Sequence, residues 1–260
     1  MYDHRLLDSA LADTVFAGKL HFSASTGSTN DDAKIAAQNG APHGSVFVAD
    51  EQTAGRGRGD HAWRSAAGEG LYMSVLLRLP VPVGRLTLLP LAAGLAASAA
   101  IRGLAGLIAD LRWPNDLLLG PRKAGGILVE SHTEAGAVAY AVVGIGINVH
   151  QREFAPGLTT PATSLDLESG RIISRQRLLV ALLLALDEES SALLDSVTAN
   201  AIPRHAEQVS TWMRGRRVEV HGPQACSGIT EGLDVHGFLR VRTAQGLVTV
   251  QTGGLREALI

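Results

Sequence analysis

Hydrophobic and polar positions repeat with two different periods along the chain, and each period predicts one type of secondary structure. A helical period from Asp31, with acidic residues in its first turn and Gly40 at its end, predicts a capped helix. The alanine-rich apolar segment 86–107 predicts a long buried helix, and segment 165–194 predicts helices that break near Gly170. We predict strands at 45–50, 70–79, 111–119, 123–131 and 137–149, the last three as an antiparallel meander with turns at Gly120-Pro121 and Glu134-Ala135-Gly136.

The pattern changes towards the C-terminus, where short strands replace helices. Residues 206–212 are predicted to continue the helical part, and after Gly215 short apolar runs alternate with turn residues. This alternation of short strands and turns is typical of a small β-barrel. We therefore expect an α+β chain with a first domain at 1–212 and an all-β domain at 213–260.

Composition narrows the class of protein. The chain has 260 residues, 46% of them hydrophobic, and a net charge of −2, which is unfavourable for general nucleic-acid binding. A single cysteine, Cys226, excludes an internal disulfide, and the scattered histidines lack metal-ligand spacing, so no protein metal site is expected. The N-terminus does not read as a signal peptide, and the apolar segment 86–101 is too short to span a bilayer. We expect a cytoplasmic protein without membrane or nucleic-acid partners.

A basic loop at Gly55–Arg64 carries the first candidate chemistry. Alternating glycines and arginines add little to a core but can form a loop with fixed positive charge that closes over an anion. Alone, the loop is equally compatible with a solvated turn or an RNA-binding arginine-glycine segment.

Two further motifs place polar groups in β-rich surroundings. In Arg112-Trp113-Pro114-Asn115-Asp116, the proline predicts a strand edge or bend, and the polar pair suits either an Asx turn or a ligand site. In segment 123–130, a hairpin at Gly120-Pro121 would bring Lys123 opposite Leu118 and within reach of Asp116. The glycines that follow Lys123 suit either a bulge or the close approach of a ligand.

Two more segments suit the walls of a binding slot. In Gly144-Ile145-Gly146-Ile147-Asn148, the period of two puts both glycines on one face, which predicts a bare backbone floor that ends in an amide. Ser28-Thr29-Asn30 stands at a predicted helix start, where its side chains suit capping, a cleft, or both.

Taken together and in this order, the motifs resemble those of the biotin protein ligases. The resemblance implies a class II aminoacyl-tRNA synthetase-like catalytic domain on a mixed sheet, followed by a small SH3-like β-barrel. It also implies biotin and ATP with Mg²⁺ as substrates, and biotin carboxyl carrier protein, a carboxylase subunit, as the partner. A homodimer occurs in the family, and this sequence leaves the oligomeric state open.

The resemblance also implies a role for each matching residue. Lys123 is expected to bridge the biotin carboxylate and the α-phosphate, Arg56 and Arg58 to clamp phosphate, and Asp116 to receive the incoming lysine. The expected binding residues are Ser28, Thr29 and Gln52 for biotin, Gly55 and Gly57 in the closing loop, Gly126, Gly144 and Gly146 for close backbone approach, Trp63 and Asn148 for adenine, and Asn30 and Asn115 beside them.

The sequence departs from the family pattern at a few positions. Gly59-Asp60-His61-Ala62 replaces the more basic second half of the usual loop, where His61 or Arg64 would have to substitute, and Arg112 stands where lysine is common. Only 27 residues precede Ser28, so we expect a monofunctional ligase without the DNA-binding domain of some relatives.

A lipoate or octanoate ligase lacks support because its Gly-Gly-Gly-His-type motif is absent. An RNA-binding protein would need more than 4% aromatic residues and a positive charge.

Overall fold

The computed structural model describes residues 2–59 and 61–258, so Asp60 of the atypical loop half lies outside the described residues. The helices are α1 (His4–Ala10), α2 (Thr29–Gln38), α3 (Leu89–Ala105), α4 (Leu165–Ser169), α5 (Arg175–Ser191) and α6 (Ser196–Gln208), with a 3₁₀ helix at Val83–Leu88. The strands are β1 (Leu20–Thr26), β2 (Ser45–Gln52), β3 (Gly70–Leu77), β4 (Asp110–Arg112), β5 (Asp116–Leu119), β6 (Arg122–Glu134), β7 (Ala137–Asn148), β8 (Arg214–His221), β9 (Cys226–Leu233), β10 (Leu239–Thr243), β11 (Gly246–Val250) and β12 (Gly254–Glu257).

A seven-stranded mixed sheet forms the larger part of the molecule. Its strand order is β1-β2-β3-β7-β6-β5-β4, with β1 parallel to β2 and the remaining pairs antiparallel. Helix α2 covers the face on which Gly144 lies, since Asn30 contacts that glycine, whereas α3 covers the opposite face through Ile127. The main hydrophobic core lies on the α3 and α5 side. The glycine face beside α2 is therefore the face on which polar groups collect.

The pattern-based predictions are confirmed for most elements of this sheet. The meander is present, but the run 111–119 is not one strand, because Trp113-Pro114-Asn115 interrupts it and leaves β4 and β5 as an antiparallel pair. Proline has no N–H to give to a ladder, which explains the break.

The predicted continuation of the helix over 206–212 is wrong. Helix α6 ends at Gln208, and Ser210 turns the chain there: its hydroxyl donates to the Leu111 carbonyl and accepts from the backbone N–H groups of Trp212 and Met213. These bonds give the backbone an alternative to another helical turn.

The long apolar segment Val83–Ala105 is a core element. By length and a mean hydropathy of 1.6 it could cross a membrane, but 72% of its most apolar window is buried inside the protein. It begins as the 3₁₀ helix, continues as α3, and stops at Gly106, which adopts the left-handed conformation that ends a helix.

The C-terminal strands form a separate antiparallel sheet in the order β11-β10-β9-β8-β12. Its end strands, β11 and β12, do not pair in the part of the chain that the structure describes, so the expected barrel is not closed. The chain leaves β11 through Gly253, whose φ of +138° turns it back to pair with β8. This sheet contacts the larger part through Trp113, whose indole N–H donates to the Gly237 carbonyl at 3.0 Å.

Candidate functional site

The start of α2 supplies a buried polar network on the glycine face of the sheet. The Gln52 side-chain oxygen accepts from the Thr29 backbone N–H at 2.9 Å and from its hydroxyl at 3.1 Å. The Ser74 hydroxyl lies 2.6 Å from Asn30 Oδ1 and 2.7 Å from Thr29 Oγ1. Ser28 begins the helix through its backbone, but its side chain makes no capping hydrogen bond. Simple capping therefore does not account for the Ser28 hydroxyl.

The basic loop is a short hairpin folded on itself. The Gly57 N–H donates to the His61 carbonyl at 2.7 Å, and the Trp63 N–H donates to the Gly55 carbonyl at 2.9 Å. A side chain at Gly55 would begin only 2.5 Å from the Trp63 carbonyl, so this position needs glycine. The alternation of glycine with larger residues thus lets the two arms of the loop meet.

Two arginines of the loop, Arg56 and Arg58, have protein partners. Arg56 forms a bidentate pair with Asp31, at 2.5 and 2.9 Å, and reaches Glu130 at 3.2 Å. Lys34 joins the same two carboxylates, at 2.9 Å from Asp31 and 2.8 Å from Glu130. Arg58 instead reaches the C-terminal sheet. Its Nη1 donates to the carbonyl oxygen of Gly253 at 2.7 Å.

The carboxylate of Asp31 holds the first arginine in place. Its hydrogen bond to Arg56 lowers the pKa of Asp31 to about 2. A depressed carboxyl pKa stabilises the fold above the ordinary value near 4, and that contribution is lost as the pH falls towards 2. The Arg56 contact is therefore fully present at neutral pH.

Replacing Asp31 by Asn should free the basic loop at neutral pH. Because the ion pair is partly exposed, its loss should raise the rate of trypsin cleavage at Arg56 by only about threefold. Limited proteolysis with mass spectrometry measures that rate. Asp32→Asn is the matched control, since Asp32 lies on the same helix turn but accepts from the Thr26 hydroxyl instead. Equal cleavage of both variants would contradict a holding role for Asp31.

Lys123 lies in a second charged cluster, which it forms with Asp116 and Arg112. It stands opposite Leu118 in the β5–β6 register, as the hairpin prediction required, and its Nζ is 2.5 Å from Asp116 Oδ1. Arg112 binds the other oxygen of Asp116 at 2.5 Å. Burial alone would raise the pKa of Asp116, but the charges of Lys123 and Arg112 hold it below its usual value. Asp116 is thus a carboxylate between two cations.

The bare glycine floor is covered by two side chains. An added Cβ at Gly144 would lie 2.1 Å from Asn30 Oδ1, and one at Gly146 would lie 2.6 Å from Trp63 Nε1. The Trp63 ring also faces Gly126, and the Lys123 ammonium lies 5.4 Å from the ring centroid. The Trp63 indole N–H is buried and has no hydrogen-bond partner among the described residues. A planar indole therefore occupies the slot where the sequence predicted a flat ligand.

Two of the three candidate asparagines, Asn115 and Asn148, donate their side-chain amides to backbone carbonyls. The Asn115 amide donates to the Ile127 carbonyl at 2.7 Å and so extends the ladder beyond β5. The Asn148 amide donates to the Thr163 carbonyl at 2.9 Å. Both border the site, and both amide groups hold its walls.

Several residues of the site carried no role in the sequence interpretation. Asp31 was assigned only to the acidic first turn of a helix, and Glu130 only to the end of a motif. Ser74, Lys34 and Thr252 had no sequence signal, because their partners lie in distant segments of the chain. The ring Nδ1 of His61, a possible substitute for the missing basic residues of the loop, lies 2.9 Å from the Arg58 carbonyl.

Comparison with known proteins places these motifs in a family. Residues 22–148 match the Biotin/lipoate A/B protein ligase family. The biotin–[acetyl-CoA-carboxylase] ligase of Mycobacterium tuberculosis is 36% identical over 239 residues, which are 88% of this chain and 85% of that protein. The bifunctional ligase/repressor BirA of Bacillus spizizenii is 34% identical, over 88% of this chain and 70% of that protein.

Solved structures agree with the sequence comparisons. The biotin protein ligase from Aquifex aeolicus, in complex with biotin and ATP, superposes with a TM-score of 0.79 at 29% identity. That match covers 93% of this chain and 100% of the other.

Proposed function

Since the chain belongs to the biotin/lipoate A/B protein ligase family, we propose that the slot between the basic loop and Lys123 is where biotin and ATP react. The chain is a biotin protein ligase, which uses ATP to attach biotin to a protein through biotinyl-5′-AMP. The single observation that carries the assignment of the site is the junction of Lys123, Trp63 and the Gly126–Gly146 floor. It joins a cation, an aromatic face and bare backbone within one slot.

In the first step, a biotin carboxylate oxygen attacks the α-phosphorus of ATP, and the bond to pyrophosphate breaks. Two anions must meet, and their repulsion at 4 Å is about 4 kcal/mol at an effective dielectric constant of 20. We assign Lys123 to bridge the carboxylate and the α-phosphate, because it is the cation beside the glycine floor. Arg56 and Arg58 are assigned to the phosphates, and Arg56 would exchange its present carboxylate partners for them.

The polar network at the start of α2 is assigned to biotin. Ser28, Thr29 and Gln52 provide neutral donors and acceptors for its ureido group and chain, beside the loop backbone from Gly55. Asn30 and Gly144 form the adjoining wall. Trp63 and Asn148 are assigned to the adenine side.

In the second step, the lysine amine of the carrier attacks the carbonyl carbon of the mixed anhydride, and AMP leaves. Asp116 is assigned to receive that lysine, because it is a carboxylate whose depressed pKa keeps it charged. Its present partner Lys123 would turn to the phosphate in the first step. The closed loop would also exclude the water that hydrolyses such anhydrides.

Magnesium is proposed to enter as the counter-ion of the triphosphate. Within residues 2–59 and 61–258, no three His, Cys, Asp or Glu side chains are grouped to hold a metal ion. The carboxylates of the site, Asp31, Glu130 and Asp116, are each paired with a cation. The described side chains thus do not form a metal site of their own.

The proposal also covers the domain division, the fold class, the location, the oligomeric state and the carrier. The division at residues 212 and 213 separates a catalytic domain from the C-terminal sheet, which we assign to the SH3-like class as an open form. The class II synthetase-like fold, the cytoplasmic location and a sheet-edge homodimer remain proposals of the same kind. The carrier is a biotin carboxyl carrier protein or a related carboxylase subunit.

One assay tests the reaction and its nearest alternative together. The protein, ATP and Mg²⁺ are incubated with biotin or with lipoate, and pyrophosphate release is followed by a coupled assay. A streptavidin blot then detects transfer of biotin to a carrier domain. Biotin should support both readouts. Pyrophosphate release with lipoate alone would overturn the proposal in favour of a lipoate ligase.

A further inference from the structure

The turn between β11 and β12 holds the second arginine of the basic loop. Arg58 Nη1 donates to the Gly253 carbonyl at 2.7 Å, and Nη2 donates to the Thr252 hydroxyl at 3.0 Å. These contacts join segments 194 and 195 residues apart in the chain. Through these two hydrogen bonds the C-terminal sheet contacts the basic loop directly.

The turn itself is held in a fixed shape. The Gln224 side-chain oxygen accepts from the backbone N–H of Gln251 at 2.7 Å and from that of Thr252 at 3.3 Å. Gly253 has a φ of +138°, and a Cβ there would lie 2.4 Å from the His221 carbonyl. The two groups that accept from Arg58 therefore stand on a stiff support.

Arg58 also stands beside the charged cluster of the site. It lines a cavity of about 200 Å³ at the junction of the two sheets, together with Asn115, Trp113 and Phe238. Burial lowers the pKa of Arg58, and the nearby Asp116 carboxylate opposes that shift. The guanidinium is thus within electrostatic range of the group assigned to the second step.

We propose that Thr252 and the Gly253 carbonyl are positioning groups that fix Arg58 for the nucleotide, so that the C-terminal sheet completes the active site. This inference rests on the proposed function of the slot. A guanidinium has five N–H donors, and the turn engages two of its nitrogens, which leaves donors for a phosphate. Holding the long side chain before the substrate arrives removes part of the entropy lost on binding.

The variant that tests this is Thr252→Val, which removes the hydroxyl acceptor and keeps the side-chain shape. We expect the KM for ATP in biotin-dependent pyrophosphate release to rise about fivefold, because a hydrogen bond from a charged donor is lost at a partly exposed site. The kcat and the thermal unfolding temperature should stay unchanged. Thr249→Val is the matched control, since Thr249 is exposed on β11 and, among the described residues, Arg58 donates its side-chain hydrogen bonds to Gly253 and Thr252 instead.

A double-mutant cycle separates positioning from a local structural effect. Arg58→Lys removes the planar fork, so adding Thr252→Val to it should change the KM no further. The same fivefold rise in the Arg58→Lys background, or an equal effect of Thr249→Val, would overturn the positioning role. Absence of biotin-dependent pyrophosphate release from the unaltered protein would instead overturn the proposed function, so the two failures are distinguishable.

Discussion

Replacement of Lys123 by alanine should abolish biotinyl-adenylate formation. Removing a single preorganised electrostatic group from an active site costs about 10²- to 10³-fold in rate, and Lys123 is assigned to both reacting anions, so we expect the upper end of that range or more. Biotin-dependent pyrophosphate release measures this step directly. The fold should persist, because the Lys123 side chain is 28% exposed and Arg112 continues to pair with Asp116.

Arg122→Ala is the control for this variant. Arg122 precedes Lys123 on β6, but its side chain is exposed and pairs with Glu168, away from the slot. It should release pyrophosphate at the unaltered rate. Unchanged activity of Lys123→Ala, with biotin and ATP both saturating, would refute the central electrostatic role of Lys123.

Replacement of Gly144 by alanine should give the largest loss of stability among the site glycines. The new methyl group would lie 2.1 Å from Asn30 Oδ1. Moving Asn30 away would break hydrogen bonds, because its side-chain oxygen accepts from Ser74 and its amide donates to the Glu130 carboxylate at 2.7 Å. Overpacking and a broken buried hydrogen bond together predict a loss of about 2–4 kcal/mol in the free energy of unfolding. Denaturant unfolding measures it.

Gly126→Ala provides the comparison at a site of the same face. A Cβ there meets Lys123 Cε and Trp63 at 3.5 Å, which is ordinary van der Waals contact. The free energy of unfolding should therefore change by less than about 1 kcal/mol. If Gly144→Ala unfolds at the same denaturant concentration as Gly126→Ala, Asn30 is not the rigid neighbour that the contacts describe.

The local parts of the site followed from the sequence because short-range chemistry determines them. The turn at Gly120-Pro121 sets the register that brings Lys123 opposite Leu118, and the period of two puts Gly144 and Gly146 on one face. The helix start at Ser28 follows from its neighbours in the same way.

The partners of the loop arginines did not follow from the sequence, because they depend on how the chain folds back over long distances. Arg56 meets Asp31 and Glu130, which are 25 and 74 residues away, and Arg58 meets Gly253 across 195 residues. No local pattern distinguishes these partners from other acids or carbonyls. Likewise, the position of the Trp63 indole over Gly146 depends on the hairpin geometry of the basic loop. The turn residues of the loop do not determine that geometry by themselves.

The carboxylates around the basic loop also determine which positive charges act at long range on an approaching nucleotide. Arg56 and Lys34 are cancelled by Asp31 and Glu130, so this group of four has little field beyond the Debye length of about 8 Å at physiological salt. The chain as a whole is negative by two charges. The surplus cation of the Lys123 cluster and Arg58, whose partners in the C-terminal turn are uncharged, are therefore expected to contribute to the long-range steering of a polyanion into the slot.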